Sequence, residues 1–360
     1  MIKFERAYEI VMQQPVIPVT ETTPLAQSVG RILARDIFSD MDMPPFDKAA
    51  VDGYACLRSD PDNHLTAGNN QTDGDHPKDI ILRCLETIPA GTIPGFSITP
   101  GFCSRIMTGA MVPPGADCVV MVEDTENLGN DLIKFHATKT NPNICHRGED
   151  IRKGDRILNR GILIGPAEVA VMASAGITNP QAYKFPTVGI ISTGDELTDP
   201  EKIPATGQIR NSNASQLQAQ LRQMGIIARD YGIARDHPEA VGTMIEMAGN
   251  ENQVVLLTGG VSMGDFDFVP AMMKKTGMDI LFETIAIQPG KPTVFAAGKN
   301  RWIFGLPGNP VSSFVLFEIL VKPFLYKLAG HTMRTREMHL PMGARKSTRL
   351  NSSPRIRSRM

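Results

Sequence analysis

Residues 253–269, QVVLLTGGVSMGDFDFV, contain the pattern that decides the fold. An apolar run at 254–257 ends abruptly in a Thr-Gly-Gly turn (258–260), and an apolar segment with helical spacing follows. A strand that ends in a glycine turn before a helix exposes backbone N–H groups, which bind anions and phosphate above all. Asp265 and Asp267 would repel a bare phosphate, so they favour a divalent cation that bridges them to it. The stretch therefore predicts a phosphate-and-metal site on an α/β sheet.

Two other interpretations of this stretch stay open. Residues 260–264 spell G-x-S-x-G, which is the nucleophile elbow of α/β-hydrolases and makes Ser262 a candidate nucleophile. Such an enzyme needs a histidine later in the chain, and only His331 and His339 follow. The second alternative is a glycine turn with a purely structural role.

The composition indicates a soluble globular protein of two or three domains. The 360 residues are 42% hydrophobic and 21% charged, with a formal net charge of −1. Residues 344–360 contain six basic side chains and no acid. The remaining residues, 1–343, contain 31 basic and 38 acidic side chains, which gives them a net charge of −7. We expect no nucleic-acid partner, no membrane partner and a cytoplasmic location, because the chain has neither a global positive charge nor an apolar run of membrane-spanning length.

The five cysteines predict reduced thiols rather than a disulfide framework. They are scattered, odd in number and without a C-x-x-C spacing: Cys56, Cys84, Cys103, Cys118 and Cys145. The adjacent Cys145-His146 pair lacks a matching second pair with which to complete a metal site.

Changes in composition predict a multidomain α/β protein. Residues 1–38 and 146–180 have helical apolar spacing and are expected to form one discontinuous helical domain. Residues 39–145 are rich in turn residues and short strands, which predicts an inserted, small β-rich domain. Residues 181–329 alternate strands and helices, which predicts a doubly wound, mostly parallel sheet domain.

Four loops of the predicted sheet domain should lie at the same edge, because ligands of open α/β sheets bind beyond the carboxyl ends of the strands. The loops are 193–196, 235–236, 259–267 and 305–310. They offer carboxylates, hydroxyls, glycine N–H groups and a fixed proline turn that begins a helix. For each acid taken alone, a solvated loop charge is the simpler explanation.

Seven motifs follow one another along the chain: DKAAVDGYA (47–55), RIMTGA (105–110), RGEDI (147–151), STGDEL (192–197), TGGVSMGDFD (258–267), PGKP (289–292) and LPGNP (306–310). In this order, over about residues 1–343, the chain resembles the molybdopterin molybdenumtransferases of the MoeA/gephyrin family. Each motif alone is weak, and the ordered set is highly specific.

The resemblance implies the last step of molybdenum cofactor biosynthesis. Members of the family bind adenylylated molybdopterin and molybdate; with Mg²⁺ they cleave the adenylyl phosphoanhydride, release AMP and deliver molybdenum to the dithiolene. The resemblance also implies a MogA-like α/β domain and an elongated homodimer, with the active cleft between the α/β domain of one subunit and the β-rich domain of the other. Molybdopterin adenylyltransferase and molybdoenzyme apo-proteins are the further partners that it suggests.

The resemblance strengthens roles that side-chain chemistry suggests. Asp236, Asp267 and Glu196 are hard oxygen donors suited to Mg²⁺ and to catalysis. Further catalytic candidates, on an opposing wall that also includes Asp52, are Asp47, Thr108 and Asp150. The residues expected to bind the molybdopterin substrate are Thr193, Gly194, Asp195, Gly259, Gly260, Ser262, Gly264, Lys291, Pro307, Gly308, Asn309 and Pro310.

Simpler explanations remain for two of these positions. Lys291 could equally be a surface lysine whose stem packs on apolar neighbours while its charge stays in water. Asp52-Gly53-Tyr54 could be a plain turn with a packed tyrosine.

Two features depart from the family pattern. Many members have lysine before Pro-Gly-Lys-Pro, where this chain has Gln288, so one positive charge near the oxyanion site is missing. The family's C-terminal β-barrel domain is reduced to a remnant at 330–360 with a basic tail that we expect to be disordered. Because RKSTRLNSS in this tail resembles a translated sequencing adapter, we expect that the natural chain continues and that this copy is truncated.

Two rival functions stay open. Molybdopterin adenylyltransferase acts one step earlier and resembles the α/β domain alone, whereas this chain has further domains before it. A dimeric scaffold without catalysis is the alternative from another class, and the acidic loops at the sheet edge argue against it.

Overall fold

The computed structural model describes residues 1–60, 80–136, 141–261 and 268–333. The chain forms two compact units, which are Met1–Val19 with the chain from Lys184 onward, and Thr20–Tyr183. The predicted remnant and basic tail lie outside the described residues from position 334. Within the described ranges no helix is long and apolar enough to cross a membrane.

The first unit contains a seven-stranded, mostly parallel sheet, which confirms the predicted fold class. The four consecutive strands from Arg301–Leu306 to Arg229–Ala234 run parallel. Strand Pro292–Gly298 is antiparallel to both neighbours. The loops that join it to them, residues 287–291 and 299–300, are too short for a crossover connection. Across the sheet the strands are Ile2–Lys3, Asp279–Ala286, Pro292–Gly298, Arg301–Leu306, Val254–Thr258, Val188–Thr193 and Arg229–Ala234.

Helices cover both faces of this sheet. In strand Val254–Thr258, Val254 and Leu256 pack into one apolar cluster, and Val255 and Leu257 pack into another on the opposite face. This explains the continuous apolar run in the sequence, since a strand buried on both faces has no polar side to show. The helices of the unit are Phe4–Met12, Ser212–Gln223, Pro238–Glu251, Val269–Lys275, Pro310–Leu316 and Lys322–Leu328, with a π-helical turn at Phe317–Val321 between the last two.

Residues 1–38 are not helical throughout, in contrast to the sequence prediction. They contain one α-helix, Phe4–Met12, and a single 3₁₀ turn, Leu25–Gln27. Three prolines between positions 15 and 24, among several β-branched residues, disfavour a helix there, because proline lacks an N–H and β-branched side chains favour extended backbone. The other elements of this region are the short strands Thr20–Thr22, Ile32–Leu33 and Ile37–Phe38.

Helix Phe4–Met12 belongs to the α/β unit and not to the predicted helical domain. Its Ala7 and Val11 are fully buried in the core cluster that also contains Ile285 and Leu325. The amphipathic pattern of the helix was recognised in the sequence, but amphipathicity does not say which partner covers the apolar face.

The second unit is mainly β-structure. Its six-stranded sheet has the order Thr125–Gly129, Leu132–Phe135, Ile80–Ile88, Phe102–Ile106, Gly53–Cys56 and Cys118–Met121. The smaller strands Lys48–Ala49 and Ile144–Cys145 pair with each other.

The segments before and after this sheet pair with each other, as an inserted region requires. Strand Arg156–Leu158 pairs with Ile37–Phe38, and Gln181–Tyr183 pairs with Thr20–Thr22 and Ile32–Leu33. Of residues 146–180, which were predicted to be helical, only Pro166–Ser174 forms a helix. The predicted domain boundaries at 39 and 145 stay predictions.

Candidate functional site

The carboxyl ends of the parallel strands surround a cavity of about 390 Å³. Loops that follow four strands contribute to it, as expected for a ligand site of an open α/β sheet. A second cavity, of about 400 Å³, lies around Gln253 and Arg301 at the opposite, amino ends of the strands, where such ligands do not bind. Nine of the residues predicted from the sequence line the first cavity: Thr193, Gly194, Glu196, Asp236, Gly259, Gly260, Pro307, Gly308 and Asn309.

The glycine turn packs directly on the neighbouring strand end. Gly259 and Gly260 have φ angles of 89° and 63°, in the left-handed region that favours glycine. A Cβ on Gly259 would lie 2.5 Å from the carbonyl oxygen of Thr193, and a Cβ on Gly260 would lie 2.9 Å from the Thr193 hydroxyl oxygen. The Gly259 N–H donates to the carbonyl of Leu306 at 3.1 Å. Glycine is therefore required here both by conformation and by the close approach of three loops.

The acidic loops are joined by hydrogen bonds from the backbone N–H of each aspartate to the carboxylate of the other. The Asp195 N–H donates to Asp236 Oδ2 at 3.2 Å, and the Asp236 N–H donates to Asp195 Oδ1 at 3.3 Å. Arg235 Nη1 donates to the Asp195 carbonyl at 3.1 Å. This reciprocal pairing fixes the Asp236 carboxylate at the cavity that Glu196 also lines.

The carboxylates at the cavity fit a magnesium ion that is shared with a phosphate ligand. Among the described residues, no three Asp, Glu, His or Cys side chains converge to hold a metal by themselves. Glu196 and Asp236 nevertheless line the same cavity. Mg²⁺ in phosphate-handling enzymes is bound by one or two carboxylates, with water and substrate phosphate completing the octahedron, so two acids suffice.

The Pro-Gly-Asn-Pro turn begins the next helix. Asn309 Oδ1 accepts hydrogen bonds from the N–H groups of Val311 and Ser312, at 2.9 and 3.3 Å. Pro310 occupies the first turn of helix Pro310–Leu316, where its missing N–H costs nothing. The side chain of Asn309 therefore fixes the direction of the chain beside the cavity.

Asn309→Ala should lower the free energy of unfolding by about 1 kcal/mol, because two N–H groups at the helix start lose their acceptor. Urea unfolding measures this change. Asn309→Ser retains a capping oxygen and should recover most of the loss. Equal losses of unfolding free energy in Asn309→Ala and Asn309→Ser would show that hydrogen bonds to the capping oxygen do not stabilise the start of this helix.

In the second unit, three motif segments lie beside one another. The Arg147 N–H donates to Asp47 Oδ1 at 2.7 Å, and the Gly109 N–H donates to the carbonyl of Ala49 at 2.8 Å. Asp150 is exposed, and its N–H donates to the carbonyl of Met43. Segments 47–52, 105–110 and 147–151, which are far apart in the sequence, therefore form one local surface of this unit.

Asp52 is held by both donors of Thr108. The N–H and the hydroxyl of Thr108 each donate to Asp52 Oδ1 at 2.6 Å. These bonds, the hydroxyl first, lower the pKa of Asp52 below its ordinary value because they favour the charged carboxylate. Tyr54 is buried, which agrees with the packed-tyrosine interpretation of the Asp-Gly-Tyr motif.

Thr108→Val should raise the pKa of Asp52 toward its ordinary value, since the hydroxyl donor is lost. The lowered pKa means that the Asp52–Thr108 interaction is complete above about pH 4 and is lost as the pH falls through the folded-state value. Titration followed by carboxyl-carbon NMR measures the shift. The matched control is Thr125→Val, since Thr125 donates to the Val122 carbonyl. If the pKa of Asp52 in Thr108→Val equals that of the unmodified protein, the hydroxyl does not hold the carboxylate.

Two family models match the chain. The MoeA N-terminal region (domain I and II) covers residues 2–176, and a domain described as "Probable molybdopterin binding domain" covers residues 189–327. A Staphylococcus epidermidis protein named molybdopterin molybdenumtransferase is 36% identical over 329 residues, which is 91% of this chain and 76% of the relative. A Staphylococcus aureus protein of that name is 35% identical over 326 residues, covering 91% and 75%. The chain belongs to the molybdopterin molybdenumtransferase family.

A solved structure agrees with this assignment to the family. The molybdopterin biosynthesis MoeA protein from Pyrococcus horikoshii OT3 has a TM-score of 0.76 and 31% sequence identity, covering 92% of this chain and 80% of that one. The resemblance in the seven motifs, the two family models and this structure therefore agree on the family.

Some predicted residues lie away from the cavity or outside the described part. The Lys291 side chain is exposed and is not among those that line the cavity. Its carbonyl accepts from the Ile285 N–H at 3.0 Å. Residues 262–267, with Ser262, Gly264 and Asp267, lie outside the described residues. The proposed roles of these three, and the serine-nucleophile interpretation, stay predictions.

Sequence reasoning missed a buried polar network behind the cavity. Asn211 Nδ2 donates to Ser192 Oγ at 3.0 Å, and Thr258 Oγ1 donates to the same oxygen at 3.4 Å. Asn213 Nδ2 donates to the carbonyl of Gly308 at 2.8 Å. The available signal was Asn211 directly before helix Ser212–Gln223, since asparagine is a preferred N-cap. That signal predicts a cap and not the contacts with distant strand ends.

Proposed function

We propose that this chain inserts molybdenum into adenylylated molybdopterin, with Mg²⁺-dependent release of AMP, as the last step of molybdenum cofactor biosynthesis. The observation that carries the proposal is the cavity at the carboxyl ends of the parallel strands, which gathers acids, glycine N–H groups and the Pro-Gly-Asn turn of four separate loops. Membership in the molybdopterin molybdenumtransferase family supports this reaction over the hydrolase alternative.

One set of residues in the cavity binds the phosphate of the substrate, and another set stabilises charge. The N–H groups of Gly260 and its neighbours bind a phosphate oxygen of the adenylyl group. Glu196 and Asp236, together with Asp267, would hold Mg²⁺, and a bound ion would supply positive charge for the phosphoanhydride oxygens. The reciprocal hydrogen bonds between the backbone N–H groups and carboxylates of Asp195 and Asp236 keep the Asp236 carboxylate in place.

The second unit supplies the opposite wall of the active cleft in a homodimer. Asp47, Thr108 and Asp150, with Asp52, form this wall, and the α/β unit of the other subunit faces it. The clustering of the three motif segments on one surface of the unit supports a shared role for them. Molybdate is the second substrate, bound in this cleft.

Mixing two inactive variants tests whether the cleft forms between subunits. Asp236→Ala removes a group from the α/β unit, and Asp150→Ala removes one from the second unit. If the cleft lies between subunits, heterodimers contain one intact site, and an equal mixture should recover about a quarter of the activity. If each site is built within one chain, the mixture stays inactive. The control mixture combines Asp236→Ala with Glu196→Ala, which should recover nothing.

Gln288 is proposed to weaken molybdate binding relative to family members with lysine at this position. Gln288 is exposed, directly before Pro289. An uncharged amide gives molybdate no electrostatic attraction, so we propose that Gln288→Lys lowers the molybdate concentration needed for half-maximal turnover.

The test of the function compares two incubations. With adenylylated molybdopterin, molybdate and Mg²⁺, the proposal requires release of AMP. With Mg-ATP and molybdopterin, formation of an adenylylated product would instead identify the chain as the adenylyltransferase of the preceding step. Binding of the adenylylated substrate without turnover would favour the scaffold alternative. Labelling of Ser262 by a fluorophosphonate would favour the hydrolase alternative.

The cellular setting is part of the proposal. We propose a cytoplasmic homodimer that receives its substrate from a molybdopterin adenylyltransferase and delivers the finished cofactor to molybdoenzyme apo-proteins. The adenylylated substrate and the dithiolene product are both intermediates of one pathway, so direct transfer between consecutive proteins would protect them.

A further inference from the structure

Four of the five cysteines, which are scattered in the sequence, lie together in the six-stranded sheet of the second unit. Cys84 and Cys103 are paired positions on the parallel strands Ile80–Ile88 and Phe102–Ile106. Cys56 and Cys118 are paired positions on the antiparallel strands Gly53–Cys56 and Cys118–Met121. All four belong to one apolar cluster on one face of the sheet.

The two pairs differ in their access to solvent. Cys56 and Cys118 are fully buried, with their sulfur atoms 3.5 Å apart. Cys103 is also fully buried, but Cys84 is half-buried at the edge of the cluster. Cys84 is therefore the most exposed of the four residues, while the Cys56–Cys118 pair is enclosed by the fold.

The backbone places Cys84 and Cys103 within reach of a direct bond. Paired positions on neighbouring strands project to the same face and have Cα atoms about 5 Å apart, which lies within the range of disulfides. All five cysteines carry free thiols in this structure. Within the described ranges no three potential ligands converge to hold a metal, so two-electron thiol chemistry is the chemistry that this pair supports.

We propose that Cys84 and Cys103 form an oxidisable thiol pair, which a low-molecular-weight disulfide converts into an intramolecular disulfide. Cys84 is the attacking thiol, and buried Cys103 is the resolving thiol. The Cys84–Cys103 pair takes no part in the proposed molybdenum insertion, so an experiment on this pair tests it separately from the proposed function.

The electrostatic surroundings of the two sulfurs suit these roles. A hydrogen bond with the Cys103 thiol, followed by hydrogen bonds with the backbone of Arg105 and Glu86, lowers the pKa of Cys84 to about 6 despite partial burial, and the Cys84 thiol also lies 3.4 Å from the Glu86 carbonyl, to which it can donate. The same hydrogen bond and burial raise the pKa of Cys103. The lowered pKa favours the thiolate of Cys84, which is the nucleophilic form, and the raised pKa favours the protonated thiol of Cys103.

The reaction balances in two exchange steps. The Cys84 thiolate attacks one sulfur of the low-molecular-weight disulfide, forms a mixed disulfide and expels one small thiolate. The Cys103 sulfur then attacks the Cys84 sulfur, and its proton passes to the second departing thiolate. The protein loses two electrons from its two thiols, and the oxidant is reduced to two small thiols.

Peptide mapping of the folded protein tests the proposal. The protein is treated with glutathione disulfide at neutral pH, quenched with N-ethylmaleimide and analysed by mass spectrometry. We expect a Cys84–Cys103 disulfide as the main product, while Cys56 and Cys118 are alkylated only after unfolding. A stable glutathione adduct on Cys84, a Cys56–Cys118 disulfide as the main product, or no reaction at all would each overturn the proposal.

Two variants and a pH profile separate the roles of the thiols. Cys103→Ser should trap glutathione on Cys84, and Cys145→Ser, the matched control, should leave formation of the disulfide unchanged. Iodoacetamide alkylation of Cys84 in the unmodified protein should rise with a midpoint near pH 6. Loss of the disulfide in Cys145→Ser, or an alkylation midpoint above pH 8 for Cys84, would contradict these roles. The peptide mapping and the pH profile both use protein that contains Cys103, so they do not depend on whether Cys103→Ser folds.

Discussion

Asp236→Ala is expected to lower Mg²⁺-dependent AMP release by about 100-fold or more, which is the size of effect seen when one electrostatic contact to a developing charge is removed. The Asp236 carboxylate lines the cavity with Glu196, and the loops around it are fixed by the reciprocal Asp195–Asp236 hydrogen bonds. If Asp236 holds Mg²⁺ as proposed, loss of this carboxylate would weaken binding of the ion and so reduce stabilisation of charge on the phosphoanhydride.

A second variant separates the charge of Asp236 from its role in holding the loops. Asp236→Asn keeps an oxygen that can accept from the Asp195 N–H, but it removes the negative charge. We expect it to lose activity nearly as fully as Asp236→Ala while unfolding at the same urea concentration as the unmodified protein. The matched control is Asp279→Ala, an exposed acid outside the cavity lining, which should keep full activity. Unchanged single-turnover AMP release in Asp236→Ala would remove this residue from the mechanism.

Gly259→Ala is expected to distort the cavity and to weaken binding of adenylylated molybdopterin by at least about tenfold, which corresponds to about 1.4 kcal/mol. The new methyl group would lie 2.5 Å from the Thr193 carbonyl oxygen and 2.8 Å from the Thr193 hydroxyl oxygen. Backbone at these distances must move, and the turn carries the N–H groups that are proposed to bind phosphate.

Gly277→Ala provides the matched control for this substitution. Gly277 has a φ angle of 77°, close to the 89° of Gly259, but a Cβ at Gly277 meets nothing within 4 Å. The Gly277→Ala substitution should therefore lower the free energy of unfolding only by the strain of the left-handed backbone, about 1–2 kcal/mol. It should leave substrate binding unchanged. Urea unfolding and substrate titration of both variants make the comparison. Equal behaviour of the two variants would mean that the packing of Gly259 on Thr193 does not shape the site.

The sheet that positions the cavity was predictable from local patterns. The run at 254–257 is apolar at every position because Val254 and Leu256 are covered on one face, and Val255 and Leu257 on the other. Each candidate loop followed a predicted strand, and the common direction of parallel strands brings their ends to one edge. For this reason nine residues from four separate loops could be expected at one cavity before their distances were known.

The start of the chain shows where such patterns fail. Helical spacing at Leu25, Val29 and Ile32 was compatible with a helix, yet Ile32–Leu33 is a strand that pairs with Gln181–Tyr183. That pairing joins positions about 150 residues apart, so no local window contains it. Proline and β-branched residues in this region were the local evidence against a helix.

Contacts that depend on register and long-range pairing were also beyond local patterns. Asn213 and Gly308 are 95 residues apart in the sequence and form a hydrogen bond. Cys84 and Cys103 become neighbours only through the register of two strands. Their spacing in the sequence, without a C-x-x-C motif, gave no indication of a pair.

The most direct test of the central claim measures AMP release and molybdenum insertion in the same reaction. The chain is incubated with adenylylated molybdopterin, molybdate and Mg²⁺; AMP is quantified by chromatography, and molybdenum on the dithiolene is quantified by reconstitution of an apo-molybdoenzyme. The account predicts one AMP released for each molybdenum inserted, with both lost in Asp236→Ala. AMP release without molybdenum insertion, or no AMP release from the substrate-bound protein, would contradict it.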